Sequence, residues 1–168
     1  MLCCSFLGRA KNCRVARVYG DDGTMSVYFT NFITLADMMD VTCAIIEDSE
    51  KNILVTQRSS TMPLPLKWEF PGGKIEPNET RKDCLKREIK EELNVDIKIV
   101  SALKHNIHSY ENKKIRLIPF VCYIESGKLL LKEHLAYQWL HPTNLLDLDW
   151  AEADIPIVKD YLNKIDVI

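Results

Sequence analysis

Short runs of hydrophobic residues, separated by polar turns, recur along residues 41–140 and predict a set of β-strands. Val41–Glu47 (VTCAIIE) has the pattern of a buried strand, and Asn52–Arg58 (NILVTQR) returns after the polar turn Asp48–Lys51 as the second half of a hairpin. Alternation of apolar and polar positions marks a second hairpin, formed by residues 103–110 and 114–125. Further strands are predicted over residues 96–101, 129–131 and 136–140.

A longer segment between these strands has the spacing of a helix. Leu85, Ile89 and Leu93 recur at i, i+4 and i+8, which makes one side of such a helix apolar. Asn78 is predicted to cap its N-terminus. Further helices are predicted over residues 142–148 and 154–165. Short strands around one central helix, with another helix at the end, indicate the α+β class, with a mixed β-sheet sandwiched between helices.

The polar side of the central helix carries three glutamates, Glu88, Glu91 and Glu92, at i, i+3 and i+4. A helix turns by about 100° per residue, so this spacing places the three carboxylates on one narrow face. Like charges at this spacing repel each other, and oxygen ligands suit a hard cation such as Mg²⁺ or Mn²⁺ better than zinc. Two interpretations stand at this point, a solvated acidic face on a surface helix and a site for a divalent cation.

A glycine pair, Gly72-Gly73, precedes this helix and allows backbone groups to approach a phosphate or a metal closely. From Gly73 the chain runs through five residues to Glu79 and through seven more to Arg87–Val95 (REIKEELNV). This spacing resembles the Nudix box, in which G, E and R-E-U-x-E-E-x-G-U are fixed and U is a bulky aliphatic residue. Asn94 stands where that family has glycine. We expect Asn94 to end the helix in the left-handed conformation, for which asparagine is the next best residue.

The flanking residues extend the resemblance to residues 40–165. Trp68–Glu76 (WEFPGGKIE) is similar to the MutT-type branch of the family, and Ala153–Pro156 (ADIP) resembles a signature of its CTP pyrophosphohydrolase relatives. The resemblance implies the Nudix fold, an α/β/α arrangement. It places a Nudix hydrolase domain over residues 38–168, after an N-terminal extension over residues 1–37.

The resemblance also implies a metal site for Mg²⁺, with Mn²⁺ as a substitute. The expected ligands are the side chains of Glu88, Glu91, Glu92 and Glu133 and the backbone carbonyl of Gly72. For Glu133, a solvated loop glutamate is the alternative. One of the box glutamates is expected to be the general base. Arg87 and Glu79 are expected to support these catalytic carboxylates, since an arginine beside carboxylates fixes their geometry with paired hydrogen bonds.

Four further residues are expected to bind the substrate. The resemblance makes Arg58 a phosphate contact, with a surface cation as the alternative, and places Lys74 within reach of a phosphate. Phe70 is expected to help form the floor of the base site. Asp154 stands where MutT-type enzymes place the group that reads the nucleobase, and an ionised carboxylate there would favour cytosine or guanine donors. In an apolar pocket its pKa would rise, and helix N-capping is the other interpretation of this residue.

Hydrolysis at phosphorus needs an oriented water, neutralised oxygens and a stabilised leaving group. The resemblance implies a Mg²⁺-dependent pyrophosphohydrolase that cleaves NTP or dNTP to the monophosphate and pyrophosphate. Its expected substrates are oxidised or modified nucleotides (8-oxo-dGTP, CTP, 5-modified dCTP), which implies nucleotide pool sanitation and DNA repair. The alternatives are a Nudix hydrolase of another nucleoside diphosphate derivative (dinucleoside polyphosphate, nucleotide sugar, ADP-ribose, capped RNA) and a non-catalytic Nudix-fold binding module. Retention of every box glutamate disfavours the binding module.

Composition narrows the expected partners. The 168 residues fit one sizeable domain, and a net charge of −2 gives no bulk attraction to nucleic acid or membrane. We expect a small-molecule nucleotide as the partner and a monomer or homodimer. Six cysteines without a C-x-x-C pair suggest free thiols in a reducing compartment, and hence a cytoplasmic protein.

The first 20 residues contain four basic residues and no acid, which leaves three interpretations. The segment is an organellar presequence, a secretory signal, or an extension upstream of a start at Met38 or Met39. Within it, Val27–Phe29 is suited to a short strand.

Overall fold

The computed structural model describes residues 13–19, 25–31, 38–111 and 113–167. The chain divides into two compact units, Met1–Asp37 and Met38–Ile168. In the first unit, β1 (Cys13–Tyr19) pairs with β2 (Met25–Asn31) as an antiparallel hairpin. The role of residues 1–37 stays a prediction.

The second unit contains the predicted strands and helices, with one exception described below. In chain order its elements are β3 (Met38–Glu47), β4 (Ile53–Gln57), β5 (Trp68–Glu69), α1 (Arg81–Leu93), β6 (Val95–Ala102), β7 (Asn106–Tyr110), β8 (Lys113–Gly127), β9 (Ala136–Leu140), a 3₁₀ helix (Pro142–Asp147) and α2 (Ile155–Lys164). Across the described residues, none of the helices has the length and apolar run that crossing a bilayer requires.

Within the described part of this unit, seven strands form one mixed sheet. Its strand order is β5-β4-β3-β8-β6, with β7 paired to β8 and β9 paired to β4. The long strands β3 and β8 run parallel along the whole of β3, and the other strand pairs in the sheet are antiparallel. The sheet is therefore mixed, as the sequence predicts.

Side chains along β3 alternate between two hydrophobic cores, one on each face of the sheet. Cys43 and Ile45 belong to the core that includes the apolar side of α2, while Ala44 and Ile46 belong to the core that includes the apolar side of α1. All four are essentially inaccessible to solvent. A strand buried on both faces reads as a continuous hydrophobic run, which is why VTCAIIE has this composition. The α+β class, with a mixed sheet between helices, is confirmed.

The ends of α1 confirm one prediction and correct another. Asn94 has φ +59° and its N–H donates to Lys90 O at 3.1 Å, so the helix ends in the predicted left-handed residue. The prediction of Asn78 as the N-cap is wrong, because Thr80 holds that place and its hydroxyl accepts the N–H of Asp83 at 3.2 Å. An N-cap residue needs an extended backbone, whereas Asn78 has φ +67°.

The prediction of a strand over residues 129–131 is also wrong. This segment follows β8 in the chain and lies against the end of α1, where Leu130 N–H donates to Leu93 O at 3.0 Å. The side chains of Leu129 and Leu131 pack against the core under α1. Two half-buried leucines therefore account for the apolar pattern without a strand.

Candidate active site

The segment that contains the glycine pair lies beside β3 and is held there by backbone hydrogen bonds. Thr42 N–H donates to Gly73 O and Ala44 N–H donates to Pro71 O, both at 2.8 Å. Because β3 is the buried centre of the sheet, the position of the glycine pair is fixed relative to the core.

Both glycines are required by close approach. A Cβ on Gly72, which has φ +150°, would lie 2.2 Å from Thr42 O. A Cβ on Gly73 would lie 2.2 Å from the carboxylate carbon of Glu88. The missing side chain at Gly73 thus provides the space in which Glu88 meets the backbone.

Glu92 is the most buried of the box carboxylates, with 6% of the residue exposed. Its Oε2 accepts the N–H of Gly72 at 3.1 Å, so α1 and the glycine pair meet at this bond. Burial raises the pKa of Glu92 well above its usual value, and the charges of Glu69, Glu88 and Glu133 raise it further. The chain therefore concentrates negative charge around a carboxylate that is already desolvated.

Glu88 is also surrounded by carboxylates but is less buried than Glu92. Burial raises its pKa, Arg87 opposes that rise, and the charges of Glu91 and Glu133 add to it. The charge of Glu133 contributes to the raised pKa of both Glu88 and Glu92, so Glu133 lies within electrostatic range of them. Glu88 and Glu91 meet at Arg87 and Glu92 meets the glycine pair, while the role of Glu133 as a ligand stays a prediction.

Arg87 connects three acidic side chains. Its Nε and Nη2 donate to the two oxygens of Glu79 at 2.8 and 2.9 Å, and its Nη1 contacts Glu88 Oε1 and Glu91 Oε2 at 2.9 and 3.0 Å. The paired bonds to Arg87 lower the pKa of Glu79 to about 2. A rigid planar guanidinium can orient several carboxylates at once, which a lysine cannot do.

The donor set fits a hard divalent cation. Several carboxylates stand close enough to raise each other's pKa, and one positive group, Arg87, offsets them in part. Carboxylate oxygens are the ligands that Mg²⁺ and Mn²⁺ prefer. In the part of the chain that is described, no three acidic, histidine or cysteine side chains already converge at metal-ligand distance.

A pocket of about 310 Å³ opens beside the glycine pair. Its walls include Phe70, Asp154, Arg58, Tyr110, Leu117 and Gly72. The ring of Phe70 is further supported by Trp150, with ring centroids 4.9 Å apart. The pocket is mostly apolar and carries a few polar groups, as is usual for sites that bind small molecules.

Asp154 is a buried acidic group in the wall of this pocket, with 5% of the residue exposed. Its Oδ1 accepts the N–H of Phe70 at 3.1 Å. Burial, with a contribution from the charge of Glu69, raises the pKa of Asp154 to about 8. Asp154 does occupy the N-cap position of α2, as the N-capping interpretation predicts, but its side chain makes no capping bond and is directed to Phe70 N–H instead.

The two basic residues predicted to contact phosphate lie in different settings. Arg58 lines the pocket, forms an ion pair with Glu69 and donates to Pro63 O. Lys74 pairs with β3 through its backbone, at the Val41 bridge, while the residue itself is exposed and does not line the pocket.

Sequence reasoning missed Glu69 and His134. Glu69 lies between two buried aromatic residues and accepts a bond from His134 Nε2, with 3.0 Å between Nε2 and Oε1. The acid between Trp68 and Phe70 was visible in the sequence as a polar residue within an apolar run. His134 carried no comparable signal, because it lies in an irregular segment with no periodicity.

The family description that matches this chain is the NUDIX domain, over residues 38–161. This match covers the sheet, both α-helices except the end of α2, and the whole glycine–glutamate site. The chain therefore belongs to the Nudix family and is a hydrolase of that family.

Named relatives agree with the MutT-type resemblance. CTP pyrophosphohydrolase of Escherichia coli K12 is 33% identical over 125 residues, which are 74% of this chain and 92% of that protein. An 8-oxo-dGTP diphosphatase of Buchnera aphidicola subsp. Schizaphis graminum is 31% identical over 121 residues, 72% of this chain and 91% of that protein. The solved structure of MutT from methicillin-resistant Staphylococcus aureus 252 has a TM-score of 0.62 at 42% identity, covering 76% of this chain and 97% of that one.

Proposed function

We propose that the protein is a Mg²⁺-dependent nucleoside triphosphate pyrophosphohydrolase, which releases a nucleoside monophosphate and pyrophosphate. The observation that carries this proposal is the position of Gly72, which lines the pocket and whose N–H binds Glu92. A nucleotide whose base enters the pocket would bring its phosphates to the carboxylates of α1. Hydrolysis of the phosphoanhydride is the chemistry that such an arrangement serves.

The side chains divide this work between them. Glu88, Glu91, Glu92 and Glu133 would hold the ion, and the carbonyl of Gly72 is proposed as a further ligand. The bound ion would neutralise phosphate oxygens and lower the pKa of a coordinated water. A box glutamate would accept the proton of the attacking water. Glu79 and Arg87 hold these groups in place.

Phosphate contacts are proposed for Arg58 and Lys74. The ion pair with Glu69 already orders the Arg58 side chain at the wall of the pocket. Its guanidinium group would therefore bind a phosphate with little further loss of conformational entropy. Lys74 follows the glycine pair, where a flexible ammonium group reaches the outer phosphates.

Asp154 is proposed as the residue that reads the base. With its pKa near 8, the carboxyl is protonated at neutral pH and presents both a donor and an acceptor, one oxygen being held by Phe70 N–H. A group of this kind can pair with cytosine and with the edge of an oxidised guanine. The names of the two relatives, a CTP pyrophosphohydrolase and an 8-oxo-dGTP diphosphatase, support the same substrates. Phe70 is proposed to pack against the base.

The experiment that tests this function is a substrate panel with purified protein and Mg²⁺. The panel contains 8-oxo-dGTP, dGTP, CTP, 5-methyl-dCTP, ADP-ribose and diadenosine tetraphosphate. We expect turnover of triphosphates, its loss in Glu91→Gln and its retention in Glu50→Gln, an exposed glutamate on the β3–β4 turn. Turnover restricted to ADP-ribose or the dinucleotide would overturn the triphosphate assignment, and no turnover with either Mg²⁺ or Mn²⁺ would favour a binding module.

A further inference from the structure

The segment between β8 and β9, residues 128–135, is attached to neighbouring elements through three of its backbone N–H groups. Leu130 N–H and Lys132 N–H donate to Leu93 O and Glu92 O at the end of α1, both at 3.0 Å. Leu135 N–H donates to Gln57 O at the end of β4, at 2.8 Å. The segment thus spans from the catalytic helix to the strand that precedes Arg58. Glu133, the exposed candidate ligand, lies between these attachments.

His134 is the buried anchor within this span. Its side chain is 1% exposed, and its Nε2 lies 3.0 Å from Glu69 Oε1. Its Nδ1 is buried without a hydrogen-bond partner among the described residues. The bond from Nε2–H to Glu69 is therefore the polar contact that fixes the orientation of the ring. Burying an imidazole nitrogen without a hydrogen-bond partner costs desolvation free energy, which an apolar side chain of similar size would not lose.

Glu69 connects this ring to the substrate pocket. One carboxylate oxygen accepts from His134, and the other pairs with Arg58 Nη1. The backbone of Glu69 is fixed within β5, where its carbonyl accepts the hydroxyl of Thr56 at 3.2 Å. Since Glu69 is rigid, a ring bonded to it holds the Glu133 segment at one end and orients the partner of Arg58 at the other.

We infer that His134 is a positioning residue, which through its Nε2–Glu69 bond sets both the Glu133 carboxylate at the metal site and the Arg58 guanidinium at the pocket. This inference rests on the proposed function of the site. It assigns His134 a role in two parameters of the reaction, metal affinity and nucleotide affinity, without contact with either ligand. A histidine that only fills space would affect neither parameter in the folded protein.

The different side-chain lengths of glutamine and asparagine supply a matched pair of variants at His134. The amide nitrogen of glutamine is three bonds from Cβ, as is histidine Nε2, so His134→Gln preserves the donor to Glu69. The amide nitrogen of asparagine is two bonds from Cβ, like Nδ1, so His134→Asn cannot reach it. We expect His134→Asn to weaken Mn²⁺ binding to the free protein and to raise KM for the nucleotide, each by roughly tenfold, the effect typical of lost outer-shell partners. His134→Gln stays close to the unsubstituted protein in both.

Mn²⁺ binding is measured by electron paramagnetic resonance without substrate, and KM and kcat by initial rates at saturating metal. Val158→Ala is the control for lost stability, because it leaves a cavity beneath the buried side of α2. It should lower the melting temperature and leave both affinities unchanged. Equal behaviour of His134→Gln and His134→Asn, whether both impaired or both normal, would overturn the inference. If the unsubstituted protein binds Mn²⁺ but hydrolyses no nucleotide, the proposed function fails, and the Mn²⁺ comparison still decides the role of His134.

Discussion

Asp154 Oδ1 accepts the backbone N–H of Phe70 at 3.1 Å, although 84 residues separate the two in the chain. The bond joins the start of α2 to the residue that leads into the glycine pair. It also places a buried carboxyl in the wall of the apolar pocket. Phe70 stands two residues before Gly72, whose N–H donates to Glu92. The pocket and the carboxylate site are therefore built on one short stretch of backbone.

The raised pKa of Asp154 predicts a pH dependence of stability. The carboxyl titrates near pH 8 in the folded protein and near pH 3.9 when unfolded, so between these values the folded state binds more protons. The free energy of unfolding should then fall as pH rises through this window, by up to about 1.4 kcal/mol per pH unit. Asp154→Asn keeps an acceptor for Phe70 N–H and should lose this slope.

Urea unfolding at intervals from pH 5 to pH 8 measures the effect, and the exposed Asp147→Asn is its control. The unsubstituted protein and Asp147→Asn should lose stability with rising pH relative to Asp154→Asn. Parallel curves for all three proteins would show that Asp154 is ionised throughout the window.

Gly73→Ala should abolish activity while the protein still folds. The added Cβ would stand 2.2 Å from the Glu88 carboxylate carbon, so Glu88 must move away from the backbone. We expect overpacking to cost roughly 1–3 kcal/mol of stability and turnover to fall far more than stability explains. Gly127→Ala is the control, because Gly127 has φ +99° and approaches Asn94 O, away from the carboxylates. It should lose comparable stability, measured by urea unfolding, and keep its kcat. A normal kcat in Gly73→Ala would show that activity does not depend on the space that Gly73 leaves for Glu88.

Arg87→Lys should lower turnover although it keeps the positive charge. A lysine cannot donate to Glu79 through two parallel bonds while also holding Glu88 and Glu91. We expect kcat/KM to fall about 10- to 100-fold, in line with the loss of groups that orient metal ligands. Arg81→Lys, at the exposed first residue of α1, should change nothing. Steady-state rates that match in the two variants would show that charge alone suffices.

Thr80→Ala should destabilise the protein by about 1 kcal/mol, because the N-cap hydroxyl is lost. Thr80→Ser retains the hydroxyl and should remain near the original stability. Chemical unfolding of both variants measures the difference, and equal stability of the two would argue against Thr80 as the cap.

Much of this architecture could be predicted from local pattern. The three box glutamates share a face because helical spacing places them there, and Asn94 ends the helix because few residues adopt a positive φ. The cap at Thr80 could not be predicted, since a nearby asparagine was an equally good candidate until backbone angles were known. The sign of φ at Asn78 decided between them.

Contacts between segments that are distant in the chain could not be predicted from the local sequence pattern. Glu69 and His134 are 65 residues apart, and their pairing depends on how β5 and an irregular segment meet in space. Asp154 was visible through its resemblance to a known motif. Its bond to Phe70, and the burial that raises its pKa, required the packed structure.

The proposed reaction splits a triphosphate into a monophosphate and pyrophosphate. It can be followed by ³¹P NMR of CTP and of 8-oxo-dGTP incubated with the protein and Mg²⁺, with Glu91→Gln in parallel. We expect pyrophosphate to appear in step with the monophosphate and the variant to produce neither. Release of orthophosphate with a diphosphate, or equal product from Glu91→Gln, would contradict it.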